Sequence, residues 1–333
     1  MLLPASAARA AAFDLPMAYL ESFGPKGQAT TPLLWGLIVL SVIVVLVISG
    51  LVLFGIWRRR SFDDRLVGHT LPVSRPSGSL GWIYFGLALT TVILAGFAVW
   101  TVDVMAEIDE PHGDPRFTIE VSAEQWWWAA RYVDADDPSR SFTTANEFHI
   151  PVGEPVRILL QSPDVIHSFW VPALSGKTDV IPGQVNETWI QADKAGVYRG
   201  QCTEYCGAQH TNMALRMFAD TPQDFDRWWA DQAAPAEEPE AGTAAVDGQR
   251  LFVQRCGACH TVRGTAAKGE TAPDLTHLAS RTTIAAGMLS NTPGHLAGWI
   301  ANPQVLKPGN KMPAVELSAD ELDAIQRYLS TLD

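Results

Sequence analysis

Three patterns of apolar and polar positions follow one another along the 333 residues of the chain. Uncharged apolar runs at about 32–57 and 82–102 each contain the roughly 20 residues that a helix needs to span a bilayer. From about 117 to 218, short segments alternate apolar and polar residues between Pro and Gly, which predicts strands. The rest of the chain, from 245, returns to a helical spacing of apolar residues. The pattern therefore predicts a two-helix transmembrane hairpin, an all-β Greek-key domain and an all-α domain.

These elements divide the chain into five segments. In order they are an N-terminal tail or signal at 1–30, the transmembrane hairpin at 31–105, the β domain at 106–220, a short helix and acidic linker at 221–244, and the helical domain at 245–333. The tail lacks the apolar core of about 7 to 15 residues that a secretory signal requires. The linker sequence APAEEPEAGTA is too acidic and too rich in Pro to fold, so it predicts a flexible tether between the last two domains.

The charged residues beside the apolar runs predict the orientation in the membrane. Five arginines lie between the two runs, at Arg58, Arg59, Arg60, Arg65 and Arg75, whereas the segment after the second run is acidic. Because loops rich in Lys and Arg stay in the cytoplasm, we expect both termini on the outer side, which in a bacterium is the periplasmic side of the inner membrane. The formal net charge of -12 at pH 7 gives no reason to expect a nucleic-acid partner.

The segment YRGQCTEYCGAQHTNM contains two thiols, an imidazole and a thioether in the order C-x3-C-x3-H-x2-M. The residues are Cys202, Cys206, His210 and Met213, and His167 lies upstream in DVIHSFWVP. Thiolate, thioether and imidazole groups together favour copper over ions that prefer oxygen ligands. A one-copper electron-transfer site uses a single thiolate, so a second thiolate in the same loop indicates two coppers. The alternative is a disulfide between Cys202 and Cys206, which an oxidising compartment would favour.

A second group of ligands lies in the helical domain, where RCGACH contains the C-x-x-C-H motif of covalent haem c attachment. Cys256 and Cys259 would bind the two vinyl groups, and His260 would bind the iron. Zinc is the alternative for a C-x-x-C pair, but zinc would need two further ligands. Met312, in the loop KPGNKMP, is the expected sixth ligand because Met/His ligation raises the potential of a cytochrome. Met288 is the rival candidate for that role.

Three segments, DVIHSFWVP, GKTDVIPGQVNETW and YRGQCTEYCGAQHTNM, resemble subunit II of the haem-copper cytochrome c oxidases. The resemblance extends over about residues 30–230, and the added haem domain is similar to that of caa3-type enzymes. It implies a cupredoxin fold for the β domain and a class I cytochrome c fold for the helical domain. It also implies a dinuclear CuA centre, in which Cys202 and Cys206 bridge two coppers and His167 and His210 each bind one.

The same resemblance implies roles for further residues. The thioether of Met213 and the backbone carbonyl of Glu204 would each be a weak ligand to one copper. The Glu204 carboxylate would bind magnesium at the interface with the catalytic subunit, near Asp179. Electrons would enter the copper centre at Trp126, although packing in the β domain is an alternative role for this residue. One position departs from the family, which commonly has a glutamate of a proton pathway where this chain has Ser79.

Together these features predict a path from a donor to haem c, then to the copper pair, and on to the haem-copper centre of another polypeptide. The chain has one haem motif and no spare group of histidines, so oxygen would be reduced to water by the complex and not by this chain alone. Expected partners are the catalytic subunit I, other oxidase subunits, and a soluble or membrane-bound cytochrome or quinol-oxidising complex as donor. The alternatives are a CuA-bearing component of a nitric oxide or nitrous oxide reductase, and a free-standing membrane-tethered electron carrier.

Overall fold

The computed structural model describes residues 14–15, 17, 20–58 and 80–333 of the chain. Ser79, the loop arginines from Arg59 to Arg75 and most of the N-terminal tail lie outside these residues, and so do the predictions that concern them. The described chain forms two compact units. One contains residues 29–109, and the other contains residues 110–333 together with the N-terminal segment up to residue 28.

Two long helices, α1 (Pro25–Trp57) and α2 (Gly81–Asp109), account for the predicted membrane spans. Helix α1 begins earlier than its apolar run, at a proline whose fixed φ angle suits the first turn of a helix. Helix α2 continues beyond its apolar run into the acidic residues that follow Val102. Hydropathy detects only the apolar part of a helix, whereas the backbone hydrogen bonds continue into polar sequence, so both helices exceed the predicted spans.

The apolar side chains of the two helices point outward. Leu46 is 65% exposed and Phe85 is 70% exposed, and both helices are long and apolar enough to cross a membrane. The helices meet at Gly36, where a methyl group would lie 3.0 Å from the Trp100 ring. The absence of a side chain at Gly36 therefore permits the close approach of the indole, as small residues do between membrane helices.

The strands of the β domain are short, and most alternate between buried and exposed positions. In chain order they are β1 (Asp14–Leu15), β2 (Thr118–Glu124), β3 (Trp127–Val133), β4 (Phe142–Ala145), β5 (Glu147–Pro151), β6 (Val156–Gln161), β7 (His167–Trp170), β8 (Thr178–Val180), β9 (Asn186–Ile190), β10 (Gly196–Cys202) and β11 (Ala214–Asp220). One sheet has the order β5-β11-β10-β7-β8, with β1 beside β10, and the other has the order β4-β3-β2-β6-β9.

The inward residues of both sheets form one core. Strand β2 buries Ile119 and Val121 completely, as its alternating sequence predicts. Trp128 is also fully buried, and its ring packs edge-on against Phe169 of the opposite sheet at a centroid distance of 5.7 Å. The predicted all-β domain is therefore a two-sheet sandwich. Its strands β7 and β10 carry His167 and the first cysteine of the copper motif to one end.

After helix α3 (Pro222–Ala233), the last domain contains helices α4 (Ala244–Arg255), α5 (Pro293–Ala301), α6 (Pro303–Leu306) and α7 (Ala319–Leu329), with a small hairpin of β12 (Thr283–Ile284) and β13 (Leu289–Ser290). Helices α4 and α7 cross so closely that a methyl group on Gly248 would overlap the carbonyl oxygen of Ala324. Helix α7 begins with a reciprocal capping box between Ser318 and Glu321.

The segment between α3 and α4 has no regular secondary structure, but its first residues are attached to the last domain. The amide of Ala236 donates to the carbonyl of Arg263 at 3.0 Å, and the Arg263 guanidinium donates to the carbonyl of Gln232 at 2.6 Å. His277 Nε2 lies 3.0 Å from the carbonyl oxygen of Ala234. The segment is therefore not free along its whole length, in contrast to the flexible tether that its composition predicts.

Candidate functional site

The copper-motif side chains converge at one end of the sandwich. His167 opens β7, Cys202 closes β10, and the other three lie on the connection to β11. His167 and Met213 are 0% exposed, Cys202 is 1% exposed and Cys206 is 2% exposed. His210 is partly buried in a single helical turn. Residues far apart in the sequence thus form one nearly dry cluster.

The distances within the cluster divide it into two halves. The Sγ atoms of Cys202 and Cys206 lie 3.7 Å apart, well beyond the roughly 2.05 Å of a disulfide bond. His167 Nδ1 lies 3.8 Å from Cys202 Sγ, and His210 Nδ1 lies 3.6 Å from Cys206 Sγ. Met213 Sδ is 4.0 Å from Cys206 Sγ. Each unbonded sulfur therefore has its own imidazole.

The carbonyl oxygen of Glu204 completes the symmetry, because it lies 3.3 Å from Cys202 Sγ on the half without the thioether. Two thiols, two imidazoles, a thioether and a carbonyl form a donor set that suits two soft metal ions. The Glu204 carboxylate is exposed and lies 4.0 Å from Lys177 Nζ, which is also 3.3 Å from Asp179. The two residues considered for a magnesium interface therefore share one exposed lysine.

Hydrogen bonds in the cluster favour one thiolate. A hydrogen bond from Cys206, and then contacts with His167 and nearby backbone, lower the pKa of Cys202. The same pairing raises the pKa of Cys206. A second charge at this distance is unfavourable without a metal, whereas a metal ion deprotonates a coordinating thiol outright. The electrostatics therefore agree with the ligand chemistry of a metal site.

Asp164 supports the buried histidine of the cluster, and the sequence analysis missed it. Its carboxylate lies 3.0 Å from His167 Nε2, so the ring presents Nδ1 to the sulfurs. Metal-bound histidines commonly use their second nitrogen in this way. Burial would raise the pKa of Asp164, but hydrogen bonds from His167, Lys311 and backbone amides hold it well below its usual range. The only sequence signal is an Asp three residues before the His.

Trp126 lies between the copper loop and the haem domain and is 7% exposed. Its Nε1–H donates to the carbonyl of Cys206 at 2.9 Å, beside a second bond of 2.7 Å from the Gln125 side chain. Gly207 has a φ of 115°, which favours glycine, and a side chain at this position would clash with the indole. On the haem-domain side, a methyl group on Gly309 would lie 3.8 Å from Trp126 Cη2. The indole is therefore bonded to the copper loop and lies close to the haem domain.

The C-x-x-C-H motif follows the end of α4. Cys256 and Cys259 are unbonded thiols. His260 Nδ1 lies 2.8 Å from the carbonyl oxygen of Pro273, so a neutral ring donates there and leaves the Nε2 lone pair available. Burial lowers the pKa of His260, which favours that neutral form at pH 7. The residues therefore fit a covalent haem with a histidine ligand.

The two methionine candidates lie in different loops. Met312 follows α6, and its backbone is fixed by bonds to Asn310 Oδ1 at 2.8 Å and from Gln304 Nε2 at 2.7 Å. Met288 lies in the turn of the β12–β13 hairpin, next to Gly287 with a φ of 77°. Both side chains are partly buried. The extra backbone restraint favours Met312 as a fixed ligand.

Two more polar groups bear on the fit of a haem. Arg281 Nε is a buried donor without a hydrogen-bond partner in the described chain, and an acidic substituent such as a haem propionate would satisfy it. His277 is buried, and its two ring nitrogens lie 2.8 Å and 3.0 Å from the carbonyl oxygens of Asp333 and Ala234. His277 is thus occupied in packing the end of the chain and is not available as a haem ligand.

The chain combines a cupredoxin-like sandwich that has a dithiol–diimidazole site, a c-type haem domain and two membrane-length helices. Together these features define a membrane-anchored electron-transfer protein with two redox centres. Residues 135–219 match the family model of the cytochrome c oxidase subunit II periplasmic domain, and residues 245–333 match that of cytochrome c. The chain is 35% identical to cytochrome c oxidase subunit 2 of Alkalihalophilus pseudofirmus over 324 residues, which cover 94% of this chain and 90% of the relative. The chain belongs to the family of cytochrome c oxidase subunit 2 proteins.

Two further similarities lie in the same family. The subunit 2 of Bacillus sp. strain PS3 is 32% identical over 241 residues, or 69% of this chain and 66% of the relative. The crystal structure of the periplasmic domain of subunit II of cytochrome oxidase from Bradyrhizobium japonicum is 31% identical, with a TM-score of 0.34, and covers 36% of this chain and 95% of that domain. The family models and the relative from Alkalihalophilus pseudofirmus make the chain a subunit of a haem-copper oxidase, with haem c and CuA as its implied cofactors. The reductase and free-carrier alternatives are not favoured.

Proposed function

We propose that the chain accepts electrons at a haem held by Cys256, Cys259, His260 and Met312 and delivers them to a copper pair beside Trp126. When bound, the haem iron and the copper pair supply one-electron redox chemistry. The protein supplies the ligands, excludes water and fixes the separation. The observation that carries the proposal is the position of Trp126, whose carbonyl accepts a bond from Lys307 of the haem domain and whose Nε1–H donates to the carbonyl of the copper-loop residue Cys206.

At the copper end, the ligand roles follow the two halves of the cluster. The thiolates of Cys202 and Cys206 would hold the copper pair together with the imidazoles of His167 and His210. The thioether of Met213 and the carbonyl of Glu204 would each be a weak ligand. Asp164 orients one of the imidazoles through its bond to Nε2. Because the sandwich and the burial fix these groups, the site can change its charge by one electron with little movement of its ligands.

At the donor end, the haem domain would be the place where electrons enter the chain. Trp126 is only 7% exposed, so an external donor does not reach its face while the haem domain covers it. The donor would instead be a soluble or membrane-bound cytochrome or quinol-oxidising complex that reduces the haem domain. The electrons would leave toward catalytic subunit I, where the Glu204 carboxylate would contribute to a magnesium site. Both soluble domains, at about 106–220 and 245–333, would face the periplasm from the bacterial inner membrane.

The first experiment makes the haem domain redox-silent in the assembled oxidase. His260→Gln removes the iron ligand, and we expect oxygen consumption with a soluble cytochrome donor to fall to near background. His295→Gln is the matched control, because this histidine is exposed and its Nδ1 lies 2.9 Å from the carbonyl oxygen of Ser290. The copper EPR signal reports that the copper domain is intact in both variants. Turnover near the normal rate in His260→Gln would mean that electrons bypass the haem.

A second experiment tests the bridging tryptophan. Trp126→Phe retains an aromatic ring but loses the Nε1–H that donates to Cys206, and we expect slower electron transfer from haem to copper. Trp127→Phe is the control, because Trp127 is the partly buried first residue of β3, whereas Trp126 lies in the turn before that strand. Stopped-flow absorbance of the haem in the assembled oxidase measures both rates. Equal rates in the two variants would remove Trp126 from the path.

A further inference from the structure

Lys307 of the haem domain has a buried ammonium group at the junction with the copper domain. The residue is 3% exposed. Its Nζ donates to the carbonyl oxygens of Trp126 at 2.8 Å and Asn212 at 2.7 Å in the copper domain, and to that of Ala285 at 3.1 Å in its own domain. An ammonium group has three N–H donors, so all of its donors are used.

The hydrogen-bond partners of Lys307 Nζ are all uncharged backbone carbonyls. No carboxylate lies within ion-pair distance of its Nζ in the part of the chain that the structure describes. Burial lowers the pKa of Lys307 to about 8, so the charged form with three donors still predominates at pH 7. A buried charge is tolerated only where hydrogen bonds compensate for lost hydration. Fixed backbone carbonyls provide that compensation in one geometry, which makes the contact directional.

The contact lies at the start of the loop that leads to the haem-ligand candidate. Immediately after Lys307, the carbonyl of Pro308 accepts a bond of 2.8 Å from the side chain of Gln209, next to the copper-site histidine. Gly309 then lies against the Trp126 ring, and Met312 follows three residues later. Consecutive residues of this loop thus contact the main chain, side chain and ring of the copper domain.

A second buried charged group, on the copper domain, forms hydrogen bonds to the haem domain. Glu147 of the copper domain is 4% exposed, and its Oε1 accepts bonds from the Thr282 and Thr283 hydroxyls at 2.6 Å and 2.7 Å. The amides of the same threonines donate at 3.1 Å and 2.8 Å. Nearby, the amide of Ala214 donates to the carbonyl of Ala286 at 3.1 Å. Lys307 and Glu147 thus contribute a buried charged group from each domain, and the hydrogen bonds named here join each of them to neutral groups.

We propose that Lys307 is a positioning residue for electron transfer from haem to copper, which fixes the Met312 loop on Trp126 in a docked state that persists through turnover. The inference rests on the proposed function, in which the haem domain reduces the copper pair. In each transfer the ferrous haem loses one electron and the copper pair gains it. Lys307 touches neither centre and acts by holding the two domains at one separation.

The test uses the assembled oxidase with Lys307→Met, which retains the apolar stem and removes the ammonium. A photoreductant delivers one electron to the haem, and absorbance follows haem oxidation and copper reduction. We expect transfer to slow roughly ten- to a hundredfold, the scale of the effect when a positioned group moves by about 1 Å. Lys268→Met is the control, because this lysine of the haem domain is exposed and has no role in the junction described above. The control should stay within about twofold, since substitutions of exposed side chains usually change stability by no more than about 0.5 kcal/mol.

Hydrogen exchange provides a readout that is independent of redox activity. In Lys307→Met, the amides of residues 304–312 and 124–128 should both exchange faster, whereas those of α4 and α7 should not change. If the variant alters the haem spectrum, Lys307→Arg is compared with it, because arginine restores buried N–H donors. Arginine should then transfer faster than methionine, and equal rates would contradict the role of the hydrogen bonds.

The outcomes distinguish a failure of the proposed function from a failure of the positioning role of Lys307. If the wild-type oxidase shows no copper reduction coupled to haem oxidation, the proposed function fails, and the role of Lys307 fails with it. If the wild type transfers electrons but Lys307→Met stays within twofold of that rate, the positioning role alone is wrong. A slow Lys307→Met beside a normal Lys268→Met, with faster exchange on both sides of the junction, supports it.

Discussion

Replacing Glu147 with glutamine should loosen the junction between the copper and haem domains without changing side-chain size. The carboxylate accepts bonds from both the amides and the hydroxyls of Thr282 and Thr283 while only 4% exposed. Hydrogen bonds to a charged group contribute about 1.5–3 kcal/mol each, against about 0.5–1.5 kcal/mol for neutral ones. Glutamine can still present an oxygen to these donors but loses the charge. Because the neutral amide also avoids the cost of burying a charge, part of this loss is offset. We expect the docked state of the two domains to lose about 2 kcal/mol of free energy.

A cost of about 2 kcal/mol corresponds to a roughly thirtyfold change in the docking equilibrium, because 1.4 kcal/mol is a factor of ten. Hydrogen exchange on the full-length subunit measures it directly, since the amides of Thr282 and Thr283 exchange when the junction opens. Glu187→Gln is the matched control, because Glu187 forms an exposed ion pair with Arg157 in which both side chains are over 40% exposed. Exchange within twofold of the wild type in Glu147→Gln, or an equal increase in Glu187→Gln, would refute the assignment of the junction's stability to this carboxylate.

Three further outcomes follow from the site and the helix crossing. Gly248→Ala should destabilise the haem domain by about 1–3 kcal/mol through overpacking. Gly298→Ala, on the open face of α5, should instead stabilise it by up to about 1 kcal/mol. Thermal denaturation followed by haem absorbance compares the two variants. Cys206→Ser should abolish the delocalised copper EPR signal and leave the haem spectrum unchanged, and an intact copper signal would contradict a bridging role. Met312→Ala should lower the haem potential in redox titration, because thioether ligation favours ferrous iron, whereas Met288→Ala should not.

The local chemistry of both centres was predictable because short-range motifs carry it. The residues from Cys202 to Met213 lie within one loop, and the spacing of Cys256, Cys259 and His260 is fixed by attachment to a single haem. The adjacent tryptophans could not be separated by sequence, since one could pack the β domain while another served the copper. In the structure, Trp128 is in the core and Trp126 is at the junction. The two differ because Trp128 is in β3 whereas Trp126 lies in the turn between β2 and β3, and the position of that turn follows only from the register of the two strands.

The junction itself was not predictable from this single sequence. Lys307 is an ordinary lysine in a loop rich in Pro and Gly, and Glu147 is an ordinary acid at the start of a strand. Their burial depends on partners more than 90 residues away in the chain. The acidic, Pro-rich linker predicts two domains joined by a flexible tether. Buried hydrogen bonds fix the two domains instead, and composition does not reveal them because each group bonds to backbone or to neutral side chains.

The burial of Trp126 has a kinetic consequence for electron input in the proposed path. With the haem domain covering the indole, transfer from haem to copper is a first-order process within one polypeptide. Its rate constant does not depend on how much external donor is present or how often that donor collides. Only the reduction of the haem remains second order, so donor concentration and ionic strength act on that step alone. Substitutions on the outer face of the haem domain can therefore change which donor is used while the inner transfer keeps its rate.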